Sequence, residues 1–291
     1  MAALVTGDTG FIGSHMRVFL ETQGVEAMGY SRSRGHDLFN RSQLEEAMRG
    51  VNVVYHFAAE AKPGESVLRP WETIKENLLG TLNVLEACRK HDLMLIYPSS
   101  CEIYGDYDRL IVEADELKPP NPYSASKAAL DRICFTYHKC YGLNVKIVRL
   151  FNPYGPRQQL SKVIPTFYRQ ALEGKPITVY GDGSDSRDYV YISDIVLGLW
   201  MANKLLGGEA VNLATGVATT NLELARMVIE ETESSSEVRF VDYPNAFGGI
   251  RNQVGFNDKA RRLMGWSPEV NLRQGLRRTI EWLETIKEGT R

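Results

Sequence analysis

The residues that decide the fold are Thr6-Gly7-Asp8-Thr9-Gly10-Phe11-Ile12-Gly13, at positions 6–13 of the chain. They directly follow the strand-like run Ala2–Val5 and open the helical pattern Phe11–Gln23. Glycine permits a tight turn and a close approach of backbone to a pyrophosphate, and the unpaired N–H groups of a helix N-terminus favour an anion. A plain strand-to-helix turn is the alternative. The segment predicts a dinucleotide held by Gly7, Thr9, Gly10, Phe11, Ile12 and Gly13.

Strand-like and helical patterns alternate through the first half of the chain. Aliphatic runs typical of strands occur at Ala2–Val5, Val25–Met28, Val51–Phe57, Leu93–Tyr97 and Val145–Leu150. Between them, apolar residues recur with helical spacing at Phe11–Gln23, Ser42–Met48, Trp71–Lys90 and Ser124–Tyr141. The alternation predicts an α/β fold, with a parallel sheet covered by helices on both faces. A doubly wound (Rossmann) order is favoured over a TIM barrel, because the phosphate loop lies at the first strand.

The pattern changes at the turn-rich segment 151–156 (Phe-Asn-Pro-Tyr-Gly-Pro). Beyond it we predict helices at Ile164–Leu172, Asp194–Lys204, Thr219–Glu231 and Asn271–Lys287, strands at Ile177–Tyr180 and Ala210–Leu213, and a polar loop at Gly181–Asp188. We expect residues 1–155 to form the dinucleotide-binding domain, which also receives residues 186–215. Residues 156–185 and 216–291 are then a smaller, interleaved C-terminal lobe that binds the substrate.

The composition argues against a nucleic-acid partner. The 291-residue chain has 34 basic and 36 acidic residues, so its net charge of −2 provides no overall positive field. Two local basic clusters lie in helical patterns and predict solvated helix faces. These clusters are Lys259, Arg261 and Arg262, and Arg273, Arg277 and Arg278.

Cysteine spacing and hydropathy predict the compartment. The four cysteines show no paired-ligand spacing, so we expect no metal site and a reducing environment. The first strand begins at Ala2, which leaves no room for a signal peptide. No apolar run approaches the ~20 residues of a membrane span. We therefore expect a cytoplasmic protein that does not associate with membranes.

The end of the second strand bears on the choice between NAD and NADP. An acidic residue there normally holds the ribose 2′-hydroxyl of NAD. Here the strand continues into Ser31-Arg32-Ser33-Arg34, which contains no carboxylate. Arg32 or Arg34 would suit a 2′-phosphate, through charge-assisted hydrogen bonds. The cofactor is predicted to be NAD or NADP, with NADP mildly favoured over the alternative of an ordinary basic loop.

Tyr123 and Lys127 stand four residues apart where the fourth helix begins, so both side chains share one helix face. A tyrosine titrates near ~10 and is a poor base at neutral pH. A nearby ammonium and a positive nicotinamide ring would favour the phenolate and lower this pKa. The spacing alone carries little weight. However, the fourth strand ends in Ser99, Ser100, Cys101 and Glu102, at the sheet edge where open α/β folds bind ligands.

Together these segments resemble the extended short-chain dehydrogenases/reductases, in particular the nucleotide-sugar epimerases and dehydratases. The resemblance covers essentially the whole chain in order. It rests on Thr6–Gly13, His56–Ala59, Asn77–Thr81, Ser99–Gly105, Tyr123–Lys127, Asn152–Pro156, Gly181–Ser184, Arg187–Tyr191 and Leu263–Trp266.

The resemblance implies a role for each matching residue. Tyr123 would take the proton of the sugar C4 hydroxyl while hydride passes to the nicotinamide. Ser100 would share a hydrogen bond with that hydroxyl, and Lys127 would orient the cofactor ribose. Beyond the glycine-rich loop, the cofactor would contact Ser31, Arg32, Phe57, Ala58, Ala59, Asn77, Ser99, Tyr123 and Lys127.

The resemblance also implies the substrate, a nucleotide-diphosphate sugar. Asn152 would lie beside the sugar and Arg187 would grip its pyrophosphate, with Arg251 as a weaker phosphate ligand. The alternatives are that Ser100 only caps a strand end and that Arg187 is a surface ion-pair residue. A homodimer through the helices Trp71–Lys90 and Ser124–Tyr141 is also implied, although their apolar residues are equally suited to covering the sheet.

The reaction that follows C4 oxidation is left open among three. Common 4,6-dehydratases carry an aspartate and a glutamate after the Ser/Thr, whereas this chain has Cys101 and Glu102. Glu102 fits a base for C5, and Cys101, with an ordinary thiol pKa near ~8.5, fits a proton donor. The Ser-Cys-Glu arrangement also resembles a hexosamine 5,6-dehydratase. Elimination of water is narrowly favoured over 4-epimerisation, and a 4-keto-sugar reductase is a further alternative. A non-catalytic NADP-binding sensor is the rival of another class, disfavoured because Tyr123 and Lys127 are both present.

Overall fold

The computed structural model describes residues 1–243 and 250–288. Its strands are β1 (Ala2–Thr6), β2 (Glu26–Tyr30), β3 (Val53–His56), β4 (Met94–Ser100), β5 (Val145–Leu150), β6 (Pro153–Tyr154), β7 (Ile177–Tyr180), β8 (Ser186–Arg187), β9 (Val190–Tyr191), β10 (Ala210–Leu213), β11 (Thr219–Thr220), β12 (Val238–Val241) and β13 (Asn252–Gln253). Its α-helices are α1 (Phe11–Thr22), α2 (Arg41–Ala47), α3 (Pro63–Leu68), α4 (Pro70–His91), α5 (Pro122–Tyr141), α6 (Val163–Leu172), α7 (Ile192–Met201), α8 (Asn221–Glu231), α9 (Asp258–Met264) and α10 (Leu272–Glu288).

The central sheet has six strands in the order β10-β5-β4-β3-β1-β2, and every pair in it is parallel. Strands β3 and β5 are buried along their whole length, as expected when helices cover both faces of a sheet. The order runs outward in two directions from the middle of the sheet. The predicted doubly wound Rossmann fold is therefore confirmed.

Helix α5 places the Tyr123 and Lys127 pair beside the carboxyl end of β4. It begins with a capping box, in which Asn121 Oδ1 accepts a hydrogen bond from Ser124 N while Ser124 Oγ accepts one from Asn121 N. It ends at Gly142, whose φ of 71° is the left-handed conformation that favours glycine at a helix end. These two ends fix where the helix begins and ends, and thus the directions in which its side chains point.

The chain after β5 departs from the sequence-based prediction in two segments. Thr219 and Thr220, expected to begin a helix, form the strand β11, and α8 begins at Asn221. Residues 181–188 were expected to form a polar loop, but Ser186 and Arg187 make the short strand β8. This strand lies between β11 and β13 in a separate three-stranded sheet. The difference arises because β8 is held by partners distant in sequence, which no local pattern reveals. Strand β10, by contrast, returns to the central sheet as the neighbour of β5.

Both basic clusters lie on solvated helix faces, as predicted. Arg261 and Arg262 pair with Asp258 one turn earlier in α9. Arg273 and Arg277 of α10 pair with Glu231 of α8. The arginine of each pair is at least half exposed, so these pairs contribute little to stability. Within residues 1–243 and 250–288, no helix has both the length and the apolar character that crossing a bilayer requires.

Candidate active site

The glycine-rich loop packs its backbone tightly against the end of β3. Gly7 has a φ of 67°, and a Cβ built on it would lie 2.7 Å from Ala58 N and 2.9 Å from the Phe57 carbonyl carbon. Its N–H donates to Tyr30 O at 2.8 Å, which ties the loop to β2 as well. Only glycine fits here, because any side chain would push apart two strand ends that must meet.

The start of α1 offers backbone donors to an anion. Its N-cap is Gly10, which has no side-chain cap, so the N–H groups of Phe11 and Ile12 in the first turn have no partner within the helix. A Cβ on Gly13 would lie 2.3 Å from Gly7 O, so the loop and helix are in contact at this point. This cradle fits the pyrophosphate of a dinucleotide, which the N–H groups and the positive end of the helix dipole would bind.

At the end of β2, hydroxyl groups from two segments come together. Thr9 Oγ1 lies 3.0 Å from Ser33 Oγ, which lies 3.2 Å from Ser31 Oγ. Both arginines considered for a 2′-phosphate are paired with carboxylates. Arg32 pairs with Glu76 at the surface, while Arg34 Nε donates to the buried Asp8 Oδ2 at 2.7 Å.

Asp8 is a residue of this region that the sequence reasoning missed. Its side chain is fully buried, and Arg17 NH1 lies 3.7 Å from the same Oδ2 that accepts from Arg34. A Cβ on Gly29 would lie 2.1 Å from this oxygen, so glycine in β2 makes room for the carboxylate. Asp8 therefore ties the phosphate loop to Arg34, in the segment that follows β2. The only signal in the sequence was a charged residue inside a glycine-rich turn.

Residues expected on the nicotinamide side lie around the ends of β3 and β4. Asn77 is buried, donates to Glu60 O and to Ser126 Oγ, and accepts from Glu60 N, so it fixes the loop that follows Ala58 and Ala59. Ser99 Oγ is buried and has no hydrogen-bond partner among the described residues. An orphaned buried hydroxyl at this strand end fits a ligand group that would complete it.

Tyr123 and Ser100 meet where β4 ends and α5 begins. The Ser100 side chain lies close enough to the Tyr123 side chain to act on its pKa. The Tyr123 N–H donates to Ser66 Oγ at 3.2 Å, a second support that the sequence did not indicate. Burial and the nearby Glu102 carboxylate raise the pKa of Tyr123, whereas the Ser100 side chain acts to lower it.

Lys127 is buried beside Tyr123 but is directed to the sheet. Its Nζ donates to Pro98 O at 2.6 Å and lies 4.3 Å from the centre of the Tyr97 ring. Burial lowers the pKa of Lys127 to about 8. We expected the Lys127 ammonium to lower the pKa of Tyr123. In this structure Lys127 is not among the groups that shift that pKa.

Cys101 is buried and hydrogen-bonded through its thiol. Sγ donates to Gln253 Oε1 at 3.0 Å, and Gln253 Nε2 donates back to the Cys101 carbonyl at 3.0 Å. Asn152 Nδ2 lies 4.0 Å from the same sulfur. Burial and the neighbouring Glu102 raise the pKa of Cys101 to about 12. The thiol is therefore a protonated donor at neutral pH, not a thiolate nucleophile.

Glu102 lies next to Cys101 in the chain, and its surroundings shift the pKa of its carboxyl group in opposite directions. Burial raises the pKa of its carboxyl group, while the hydrogen bond from Asn121 Nδ2 at 3.2 Å and the charges of Lys162 and Arg187 lower it. The net result is a pKa above the ordinary range for glutamate. Sequence reasoning selected Glu102 but missed Asn121 and Lys162, which lie far along the chain.

The three residues expected to bind the substrate do not behave alike. Asn152 Nδ2 donates to Asp188 O at 3.2 Å and faces Cys101. Arg187 donates to Ser186 O at 2.8 Å, and its charge lowers the pKa of both Cys101 and Glu102, so it lies toward the site. The Arg251 side chain is exposed, and the charge interaction described for it is with Asp182.

A family model for NAD dependent epimerases and dehydratases matches residues 3–214, which is more than half of the chain. The chain belongs to this family. The match includes the glycine-rich loop, the end of β4 and the start of α5, so the elements that form the candidate site are those the family model covers.

Individual relatives carry several different reactions. UDP-glucuronic acid decarboxylase 1 of Danio rerio is 32% identical, with 96% of this chain and 72% of that protein covered. A dTDP-glucose 4,6-dehydratase of an Actinoplanes species is also 32% identical and covers 97% of each chain. The structure of UDP-glucose 4-epimerase from Thermus thermophilus in complex with NAD has a TM-score of 0.90 and 32% identity, covering 98% of this chain and 99% of that one. These relatives are enzymes of nucleotide sugars, and they do not share one reaction.

Proposed function

We propose that this protein is an NAD(P)-dependent enzyme that transiently oxidises the C4 hydroxyl of a nucleotide-diphosphate sugar and then eliminates water from the keto-sugar. The observation that carries the proposal is the placement of Glu102 and Cys101 beside the Tyr123 and Ser100 hydroxyl pair. Glu102 lies near enough to raise the pKa of Tyr123. One buried pocket therefore holds groups for both oxidation and elimination.

The oxidation step is assigned to the hydroxyl pair. Tyr123, in its phenolate form, takes the proton from the C4 hydroxyl, and Ser100 supports the phenolate and the developing alkoxide by hydrogen bonding. An oxidised nicotinamide, when bound, would supply the hydride acceptor for C4. Lys127 supports the end of β4 through Pro98 O, and it is assigned to a ribose hydroxyl of the cofactor.

The elimination step is assigned to Glu102 and Cys101. A ketone at C4 acidifies the C5 hydrogen, which Glu102 takes as a proton while the bond from C6 to its hydroxyl oxygen breaks. Cys101 gives its thiol proton to that oxygen, so water leaves and the electrons of the C5–H bond form the new double bond. A thiol with a pKa of about 12 remains a stronger acid than water, whose pKa is about 15.7. Proton transfer to the leaving oxygen is therefore favourable.

Binding of the nucleotide diphosphate is assigned to cations at the edge of the pocket. Arg187 lies toward Glu102, and Lys162, at the start of α6, acts on the same carboxylate. Asn152 lies beside the sugar because it faces Cys101. Arg251 remains a weaker candidate, since its side chain is exposed.

The cofactor is proposed to be NAD or NADP, with Arg32 as the residue that decides. The Arg32–Glu76 pair is at the surface, with Arg32 71% exposed, so it is weak and replaceable by a 2′-phosphate. Arg34 is held more firmly by the buried Asp8 and contributes less. A dimer through α4 and α5 is also proposed, supported by the exposed apolar side chains of Trp71 and Leu79 on α4 and Phe135 on α5.

The test is incubation of the protein with UDP- and dTDP-hexoses, followed by mass spectrometry of the products. Dehydration gives a product lighter by one water, and Glu102→Gln removes it. A product of unchanged mass, formed equally well by Glu102→Gln, would contradict elimination. That outcome would favour 4-epimerisation, which needs no acid. One observation favours 4-epimerisation: the Cys101 thiol already donates its hydrogen bond to Gln253 Oε1.

A further inference from the structure

Contacts among four residues at the start of α5 connect Glu102 to Tyr123. Ser100 interacts with the Tyr123 side chain, and Ser100 Oγ accepts from Glu102 N at 3.2 Å. Glu102 Oε2 accepts from Asn121 Nδ2 at 3.2 Å. Asn121 is the N-cap residue of α5, two positions before Tyr123. The Asn121 side chain thus joins the proposed base for C5 to the helix that carries the proposed base for C4.

The capping box fixes the orientation of the Asn121 amide. Its Oδ1 accepts from Ser124 N at 2.8 Å, so the oxygen must face the helix. The NH2 group then points the other way, toward the Glu102 carboxylate, and the two amide ends are not interchangeable. Serine, threonine and aspartate also cap helices, but none has a separate nitrogen donor on the same side chain. Asparagine is thus able to cap α5 and hold Glu102 at once.

We propose that Asn121 is a positioning residue that holds the Glu102 carboxylate in its ionised form and aims it at the sugar. The inference rests on the proposed elimination, in which Glu102 is the base. Among the described residues, Asn121 is the side chain that hydrogen-bonds this carboxylate. Lys162 and Arg187 act on it through charge alone, and its own charge acts on Tyr123 and Cys101. Asn121 therefore fixes the orientation of the Glu102 carboxylate, whereas Lys162 and Arg187 contribute only their positive charges.

The test compares Asn121→Ser with the wild-type enzyme in the presence of NAD(P) and the nucleotide hexose that it converts. Serine keeps the capping oxygen and removes the N–H donor. Exchange of the C5 hydrogen for deuterium from D2O, read by mass spectrometry, is expected to fall about tenfold or more. Oxidation at C4, read as the absorbance of reduced cofactor, should stay within about twofold because the cap is retained. The acid limb of C5 exchange should move to higher pH, because a bond favouring the carboxylate is lost.

The outcomes separate this inference from the function on which it rests. Equal loss of oxidation and exchange in Asn121→Ser, or loss of neither, overturns the role of Asn121. If Glu102→Gln exchanges C5 hydrogen at the wild-type rate, Glu102 is not the base, and both proposals fail. Should Asn121→Ser not fold, Asn121→Asp keeps the cap and turns a carboxylate toward Glu102. In this variant, C5 hydrogen exchange is expected to fall more than C4 oxidation, and the acid limb of exchange should move to higher pH by more than in Asn121→Ser. An unshifted acid limb overturns the inference.

Discussion

Replacement of Gly13 by alanine tests whether the glycine-rich loop binds a dinucleotide. The added Cβ would lie 2.3 Å from Gly7 O, 2.9 Å from the Gly7 carbonyl carbon and 3.1 Å from Asp8 Cα. All three atoms belong to the backbone of the phosphate loop, so no flexible side chain can move aside. The loop and the first turn of α1 must separate by several tenths of an ångström or more.

The magnitude follows from the cost of inserting a methyl group into a packed contact, about 1–3 kcal/mol. The protein relieves the contact by moving the loop outward, but a bound pyrophosphate needs the loop and the helix N-terminus in their original places. The cost therefore falls on the complex, and we expect the Kd of the cofactor to rise about 5- to 150-fold.

The assay is titration of the purified protein with the reduced cofactor, followed by its fluorescence, together with thermal unfolding with and without cofactor. Gly64→Ala is the matched control. Gly64 lies in the first turn of α3, is exposed, and has no atom within 4 Å of the added Cβ. A Gly13→Ala protein that bound the cofactor as tightly as Gly64→Ala would refute the assignment of this loop to the pyrophosphate.

Three further predictions follow from the site and its support. Tyr123→Phe should lower turnover about 10²- to 10⁴-fold while cofactor affinity stays unchanged; a rate near the wild type would show that the phenol takes no proton. Arg32→Ala should weaken NADP but not NAD in parallel titrations, and equal effects on both would remove Arg32 from the 2′-phosphate site. Asp131→Asn should lower the free energy of unfolding by about 3–5 kcal/mol at neutral pH, because it leaves Arg149 buried beside a neutral group. Burial acts to raise the pKa of Asp131, but the Arg149 guanidinium and Arg132 bring it below the ordinary value. Its contribution to stability is therefore complete above pH ~4 and is lost as pH falls through the lower folded-state pKa. Urea unfolding between neutral pH and pH 3 should show a shallower loss in the variant, and parallel curves would contradict this.

The central sheet could be predicted from the sequence because its signals are local. Each strand is a short aliphatic run, each helix has its own apolar spacing, and the order follows from their alternation. The two-residue strands β8, β11 and β13 give no such signal. Ser186 and Arg187 are in a strand because Thr219, Thr220, Asn252 and Gln253 lie beside them. A pairing over this distance in sequence leaves no trace in the residues of the segment itself.

The same limit applies within the candidate site. Tyr123, Lys127, Ser100 and Glu102 were selected because they lie in motifs that resemble a known family. Asn121 contacts Glu102 across 19 residues, Arg34 contacts Asp8 across 26, and Gln253 contacts Cys101 across 152. These partners have ordinary polar side chains and acquire a role only from the fold. The sequence therefore indicated the proposed reacting groups better than the residues that contact them.

The proposed roles of Glu102 as base and Cys101 as acid rest on the different ordinary pKa values of the two groups rather than on different surroundings. Burial raises the pKa of both groups, and Arg187 acts to lower both. An ordinary carboxyl group begins near ~4.3 and an ordinary thiol near ~8.5. The same direction of shift thus moves the carboxyl toward neutral pH, where a base is effective, and moves the thiol to about 12, where it stays protonated. In the proposed mechanism, surroundings that raise both pKa values would therefore still leave Glu102 as a base and Cys101 as an acid. Substitution of aspartate for Cys101 would put two carboxyl groups in that pocket, each raising the pKa of the other.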